Sequence, residues 1–177
     1  MRAPSEALEL VGGLSVLPEE EKSRELILSL LEHTQQPYSR DQFHPGHITC
    51  TALVLHPVGD RFLLMYHHRH LRWLLPGGHV EESDVTLADA AKREAIEETS
   101  VKIASAQSLA GIDVHAIPPH KKAPFHLHHD LVFALTAASD AFACSEEAPQ
   151  VAWCRPAEFE RFGLPPNILR AARRAMG

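Results

Sequence analysis

An α/β domain, built as a mixed β-sheet flanked by helices, is the fold class predicted by three features of this 177-residue chain. Apolar residues recur at helical spacing between Pro18 and Gln35. β-Branched and apolar residues run together from Ile48 to His56 and again from His126 to Ala137. A stretch of strong helix formers, Thr86 to Ser100, lies between those runs. Helical and extended segments therefore interleave, as expected where helices cover a sheet.

Taken in order, residues 18–35 form a helix: Pro18 suits a first turn, acids follow it, and Leu26, Ile27, Leu30 and Leu31 share a face. QPYSRDQFHPGH breaks that pattern, so residues 1–45 are an N-terminal helical extension packed on a main domain of residues 46–177. ITCTALVLH is a buried strand, PVGD a turn and RFLLMYHH a second strand, together a hairpin. LRWLLPGGHVEESD is a short strand running into a glycine loop. The next helix has Thr86 as its N-cap. VKIASAQSLAGIDVHAIPP supplies a strand or two with a loop, HLHHDLVFALTA a strand, CSEEAPQ a polar loop and VAWC a short strand. A helix from about Pro166, basic towards its end, closes the chain.

The composition excludes several classes. A formal net charge of −6 argues against a stable nucleic-acid complex. Three scattered cysteines, Cys50, Cys144 and Cys154, form no CxxC pair and point to a reduced, cytoplasmic setting. The N-terminus lacks the apolar stretch of a signal peptide or membrane span, so no membrane partner is expected.

The informative segment is GGHVEESDVTLADAAKREAIEETSV, from Gly77 to Val101. Residues three and four apart share a helix face, so Glu94, Glu97 and Glu98 are neighbours whose carboxylates converge and repel. Hard oxygen donors suit Mg²⁺ or Mn²⁺, which relieve that repulsion, and Arg93 can anchor one carboxylate. A solvated acidic face is the plainer meaning of three helical glutamates. Gly77 and Gly78, after an apolar strand and Pro76, add a tight turn and close backbone approach just ahead of the helix.

This segment resembles the signature of the Nudix hydrolase family: Gly, five residues, Glu, seven residues, then Arg-Glu-apolar-any-Glu-Glu-any-Gly-apolar. Gly78 is followed by five residues and Asp84, and Arg93 to Val101 fill the second half. Asp84 stands in place of Glu, eight residues rather than seven separate it from Arg93, and Ser100 stands in place of Gly. The extra residue falls before the helix, where a loop absorbs it. The spacing looks like that of a branch of the family.

The resemblance implies a Nudix-like mixed sheet sandwiched between helices. It also implies a metal-dependent pyrophosphohydrolase that cleaves a nucleoside diphosphate linked to another group, by water attack at phosphorus. Glu94, Glu97 and Glu98 would then hold Mg²⁺ or Mn²⁺, and Glu94 or Glu98 would accept the water's proton. Arg93 would support the cluster, Gly77 and Gly78 would shape the substrate loop, and Asp84 would be structural or a further ligand. SEEAPQVAW resembles a loop that supplies one more ligand, for which Glu147 fits the spacing to Trp153 and Glu146 is the alternative. The partner is a small-molecule diphosphate, and a homodimer through the N-terminal helix is also open. A prenyl diphosphate isomerase is disfavoured because no cysteine lies near the glycines. A non-catalytic nucleotide-sensing module on the same fold is the alternative.

Two histidine patches stand out among thirteen histidines. His67 to His70, with Arg69 and Arg72, offers positive charge to phosphate or is a solvated hairpin end. His126, His128 and Asp130 alternate onto one strand face, where His128 and its neighbours line a substrate cleft or bind Zn²⁺. Trp73 and Phe125 can stack on a base or serve the core.

Overall fold

In the computed structural model, which describes residues 4–120 and 123–177, the apolar run from Ile48 forms β1 (Gly46–Leu55). β1 is buried along its whole length except for a half-buried Thr51. A strand covered on both faces reads as a continuous apolar run, which is why composition alone locates it. Its neighbours come from distant parts of the chain. β6 (His126–Ala137) lies parallel to it, from Gly46 opposite Leu127 to Leu55 opposite Thr136. β5 (Ile103–Ile117) pairs antiparallel with β6. On its other side β1 forks: β2 (Phe62–His67) meets it at Leu55, whereas β4 (Gly77–His79) pairs with Thr49 to Thr51. β3 (Arg72–Leu74) and β7 (Gln150–Cys154) both pair with β2, completing a seven-stranded mixed sheet.

Alternation along β1 sends successive side chains to opposite faces. Ile48, Cys50, Ala52 and Val54 meet α3 (Leu87–Thr99), through Leu87, Ala90, Ala91 and Ala95. The same cluster takes Ala7 and Val11 from α1 (Ser5–Gly13) and Ile27, Leu30 and Leu31 from α2 (Glu21–His33). Each large aliphatic side chain buried there contributes roughly 1.5–3 kcal/mol. Beyond the short α4 (Phe159–Phe162), α5 (Pro166–Met176) covers the other face, with Ile168, Ala171 and Ala172 packed in one cluster with Leu53, Leu55, Val132 and Ala134. That apolar cluster takes in only one half of β1. The other half carries His47, Thr49 and Thr51 on the same face, so the sheet has a polar end.

The mixed sheet flanked by helices is as the residues predict, and four local features differ. The segment before β1 holds two helices: α1 is additional, and the helix expected over 18–35 is a 3-10 turn, Pro18–Glu20, followed by α2. Gly77 and Gly78 belong to β4 rather than to a loop. β1 and β2 diverge after one register pair instead of forming a full hairpin. The segment after α3 is one fifteen-residue strand, irregular in register between Ile103 and Gly111, where bulges absorb the polar residues that looked like a break.

The N-terminal helices are tied down by two glutamates. Glu6 of α1 accepts a hydrogen bond from the Leu87 amide at 2.8 Å, placing a negative charge on the first turn of α3. Glu20, only 2% exposed, accepts a forked pair from Arg174 of α5 at 3.2 and 2.5 Å, and Arg174 also donates to the Ala110 carbonyl of β5. α1, α2 and α3 share one face and α5 lies on the other, so this pair joins the two layers. Among the described residues no helix is long and apolar enough to cross a membrane.

Two substitutions test this account. Glu20→Ala leaves Arg174 without its carboxylate and is expected to cost about 3 kcal/mol in urea unfolding, whereas Glu20→Leu combined with Arg174→Leu costs clearly less than the two single changes summed. Ser100 ends α3 in the left-handed region, with φ 54° and ψ 14°. Ser100→Gly relieves that cost and should raise stability by about 1 kcal/mol, seen as a higher urea midpoint at unchanged slope.

Candidate functional site

α3 starts where the sequence says it should. The Thr86 side chain accepts from the Asp89 amide and Asp89 returns a bond to the Thr86 amide, a reciprocal cap that sets the helix register. That register brings Arg93, Glu94, Glu97 and Glu98 to the β4 side. Arg93 binds more than the single carboxylate expected of it. Its guanidinium donates to both oxygens of Asp84 at 3.0 and 3.2 Å, to Glu94 Oε1 at 2.9 Å, to Glu97 Oε2 at 3.2 Å and to the His79 carbonyl at 2.8 Å. Glu81 Oε2 lies 4.0 Å away. Asp84 is buried and also accepts from the Glu81 amide, so it acts as Arg93's clamp and turns the loop before α3.

The two glycines of β4 serve close approach. A Cβ on Gly78 would lie 2.5–2.9 Å from the Glu94 carboxylate, and one on Gly77 would meet the Thr51 side chain at 2.6 Å and its Cα at 2.8 Å. The Gly77 amide donates to Glu98 Oε2 at 2.9 Å. Glu98 is buried, and burial pushes its pKa up to about 8; the Gly77 bond opposes the rise, and the charges of Glu94, Glu147 and Glu97 add to it. Burial likewise raises Glu94, against the pull of Arg93. Glu97 is exposed.

Glu147, in the loop before β7, joins this group from outside the helix. Its charge acts on Glu98, and its carbonyl accepts from the His68 amide at 3.0 Å, anchoring the loop to the β2–β3 turn. Glu146 is exposed. The turn itself carries exposed His68, Arg69, His70 and Arg72. Burial lowers the pKa of His70, and the charges of His67, Arg72, Arg69 and His115 lower it further, so this basic turn lies within electrostatic reach of β5. Trp73 packs against Phe162 at 4.9 Å between centroids and belongs to the core, whereas Phe125 is exposed.

The second histidine patch gains members that the sequence did not pair with it. His126 and His128 share a face with His47 of β1, because the parallel register sets His47 opposite His128. His47 lies 5.1 Å from His126 and 4.9 Å from His128, centroid to centroid, and His79 lies 5.0 Å from His47. Asp130 is drawn away from these rings: its Oδ1 accepts from Thr49 and Thr51 hydroxyls at 2.8 and 2.9 Å. Burial and neighbouring imidazoles lower the pKa of His128 to about 2 and that of His79 to about 4, so both rings are neutral. Nothing local marked His47 or His79, since strand pairing brings them in.

The sequence model of the NUDIX domain matches residues 45–175. Among solved structures, the chain is similar to the MutT protein from Methanosarcina mazei Go1, at 22% identity and TM-score 0.57 over 72% of this chain and 91% of that one. It is similar to the NUDIX domain of Shewanella oneidensis NrtR, solved with ADP ribose, at 17% identity and TM-score 0.56 over 84% and 95%. A NUDIX hydrolase from Nitrosomonas europaea gives 16% identity and TM-score 0.55 over 72% and 69%. At such identities the likeness is one of fold. No curated protein matches the chain.

The buried carboxylate makes stability depend on pH. Between pH 4.5 and about 8 the folded protein keeps the Glu98 proton that the unfolded chain releases. Without divalent cations, stability should therefore fall as pH rises through that window. In chelated protein, Glu98→Gln should be more stable than the parent near the top of that window, by on the order of 2–4 kcal/mol, and equal to it in acid. Thermal midpoints across the pH range measure this, and a constant difference would contradict the assignment.

Proposed function

The chain belongs to the Nudix family and is a pyrophosphohydrolase of that type, and from this premise we propose that it cleaves a nucleoside diphosphate joined to a second group, using Mg²⁺ or Mn²⁺. The observation that carries the proposal is the crowding of Glu94, Glu97, Glu98 and Glu147, in which burial and mutual repulsion raise the proton affinity of Glu98 to about 8. Glu98 and Glu94, whose proton affinity is raised, need either protons or a cation beside them. Their donors are all hard oxygens, and each carboxylate keeps lone pairs beyond those Arg93 occupies, so the set fits a divalent hard cation. Such an ion, when bound, offsets the charge of the diphosphate and lowers the pKa of a bound water.

The chain's own residues supply the rest. Arg93 and Asp84 hold the loop, β4 and α3 together, which fixes Glu94 and Glu97 relative to Glu98. Glu94 and Glu98 have raised proton affinity, and one of them takes the proton of the attacking water. Gly77 and Gly78 let β4 approach α3 and β1 closely enough to seat Glu94 and Glu98 against the strand beside which the substrate docks. Arg69, with Arg72, brings positive charge towards the substrate from the β2–β3 turn, and Glu147 links that turn to the carboxylates.

Glu97→Gln and Glu98→Gln should each lower kcat about 10²-fold or more against a panel of nucleoside-diphosphate compounds, with circular dichroism unchanged. Chelation should abolish turnover and Mg²⁺ or Mn²⁺ restore it. Near-parental rates in both variants would remove the helix from the chemistry.

A further inference from the structure

The geometry points to a second metal site, separate from the carboxylates: we propose that His47, His126 and His128 bind a borderline divalent transition-metal ion of the Zn²⁺ class at the polar end of the sheet. One ligand nitrogen from each ring lies within 4.8 Å of the others, close enough for one ion to gather all three. The rings come from two strands whose parallel pairing sets their spacing, so the cluster is part of the sheet rather than of a loop.

The hydrogen bonds select the tautomer a metal requires. His47 Nδ1 lies 3.0 Å from the Gln42 carbonyl and His126 Nδ1 lies 2.8 Å from the Pro124 carbonyl. A carbonyl only accepts, so each Nδ1 carries a proton, and in the neutral ring each Nε2 presents a lone pair. A backbone carbonyl behind each ring is the usual support of a metal-bound imidazole, because it fixes the ring and raises its basicity. His47 is 1% exposed and its Nε2 has no hydrogen-bond partner. A buried lone pair with nothing to accept is rare in folded proteins, and an ion coordinated there accounts for it.

The donor chemistry disfavours the harder ions proposed for α3. Three neutral nitrogens suit Zn²⁺, Co²⁺ or Ni²⁺ and not Mg²⁺, which demands oxygen. His128 is partly exposed, so an ion can enter from solvent, and three protein ligands leave a tetrahedral ion one position for an incoming group. His79 borders the cluster, with its ring 5.5 Å from that of His128 and its Nδ1 accepting from Arg40 at 3.4 Å. His128, expected from the sequence to touch substrate, becomes a ligand in this reading. The inference uses none of the carboxylates and stands whether or not they act as proposed.

The test is zinc binding by the full chain after chelation and dialysis, in excess Mg²⁺ to keep the carboxylates occupied. The parent and Glu97→Gln should each take up one tightly bound zinc ion when zinc is added back. His126→Gln and His128→Gln should each weaken it about tenfold or more. Zinc-edge X-ray absorption on the parent should show nitrogen ligands with the scattering of imidazole rings, and this readout needs no variant to fold. Absence of bound zinc in the parent, an oxygen-only shell, or equal affinity in the folded histidine variants would each overturn the proposal.

Discussion

Both oxygens of Asp84, one each of Glu94 and Glu97, and the His79 carbonyl converge on the guanidinium of Arg93. Those partners belong to three pieces of chain: β4, the loop after it, and α3. Only a planar fork with several fixed donors can hold them at once, and a lysine would hold one or two without fixing their directions. Because Arg93 is partly buried, the attraction is less screened than at an open surface. The distances among the acidic side chains follow from this joint, so the candidate active site inherits its shape from one residue.

The site is electrostatically unbalanced by design of its packing. Glu98 is buried against β4 with one amide for a partner and three carboxylates nearby. A protein of this size tolerates a few kcal/mol of such repulsion only because the apolar clusters on both faces supply the stability. The unfavourable charge state is what makes the place receptive to cations, in the same way that a strained residue marks function. The N-terminal helices contribute to that tolerance: Glu6 meets the start of α3, and Glu20 locks onto Arg174 across the β5 edge. They thereby brace the helix that carries the acids as well as covering the sheet.

On the opposite side of β1 the polar end of the sheet holds a different chemistry. Threonine hydroxyls satisfy Asp130, and burial together with neighbouring imidazoles keeps His128 and His79 neutral. One strand thus separates an oxygen-rich site on the α3 face from a nitrogen-rich cluster on the other. β1 is forked on one edge, with β2 at one end and β4 at the other.

Much of this was readable in the sequence by itself. The start of α3 at Thr86, the shared face of Glu94, Glu97 and Glu98, and the buried runs of β1 and β6 are encoded in contacts between residues one to four apart, and local spacing reports those directly. The family signature added the pairing of glycines with the acidic helix, and the NUDIX match over residues 45–175 agrees. α1 is not legible in the sequence because nine residues with two glycines at their end carry too little periodicity to stand out. β4 reads as a loop in the sequence because glycines give a strand no side-chain pattern, and its pairing with Thr49 to Thr51 exists only once β1 is in place. The joining of His47 to His126 and His128, and the fivefold grip of Arg93, are decided by tertiary structure alone. His47 and His128 are eighty-one positions apart and meet because two strands run parallel in one register, and no short-range spacing carries that information.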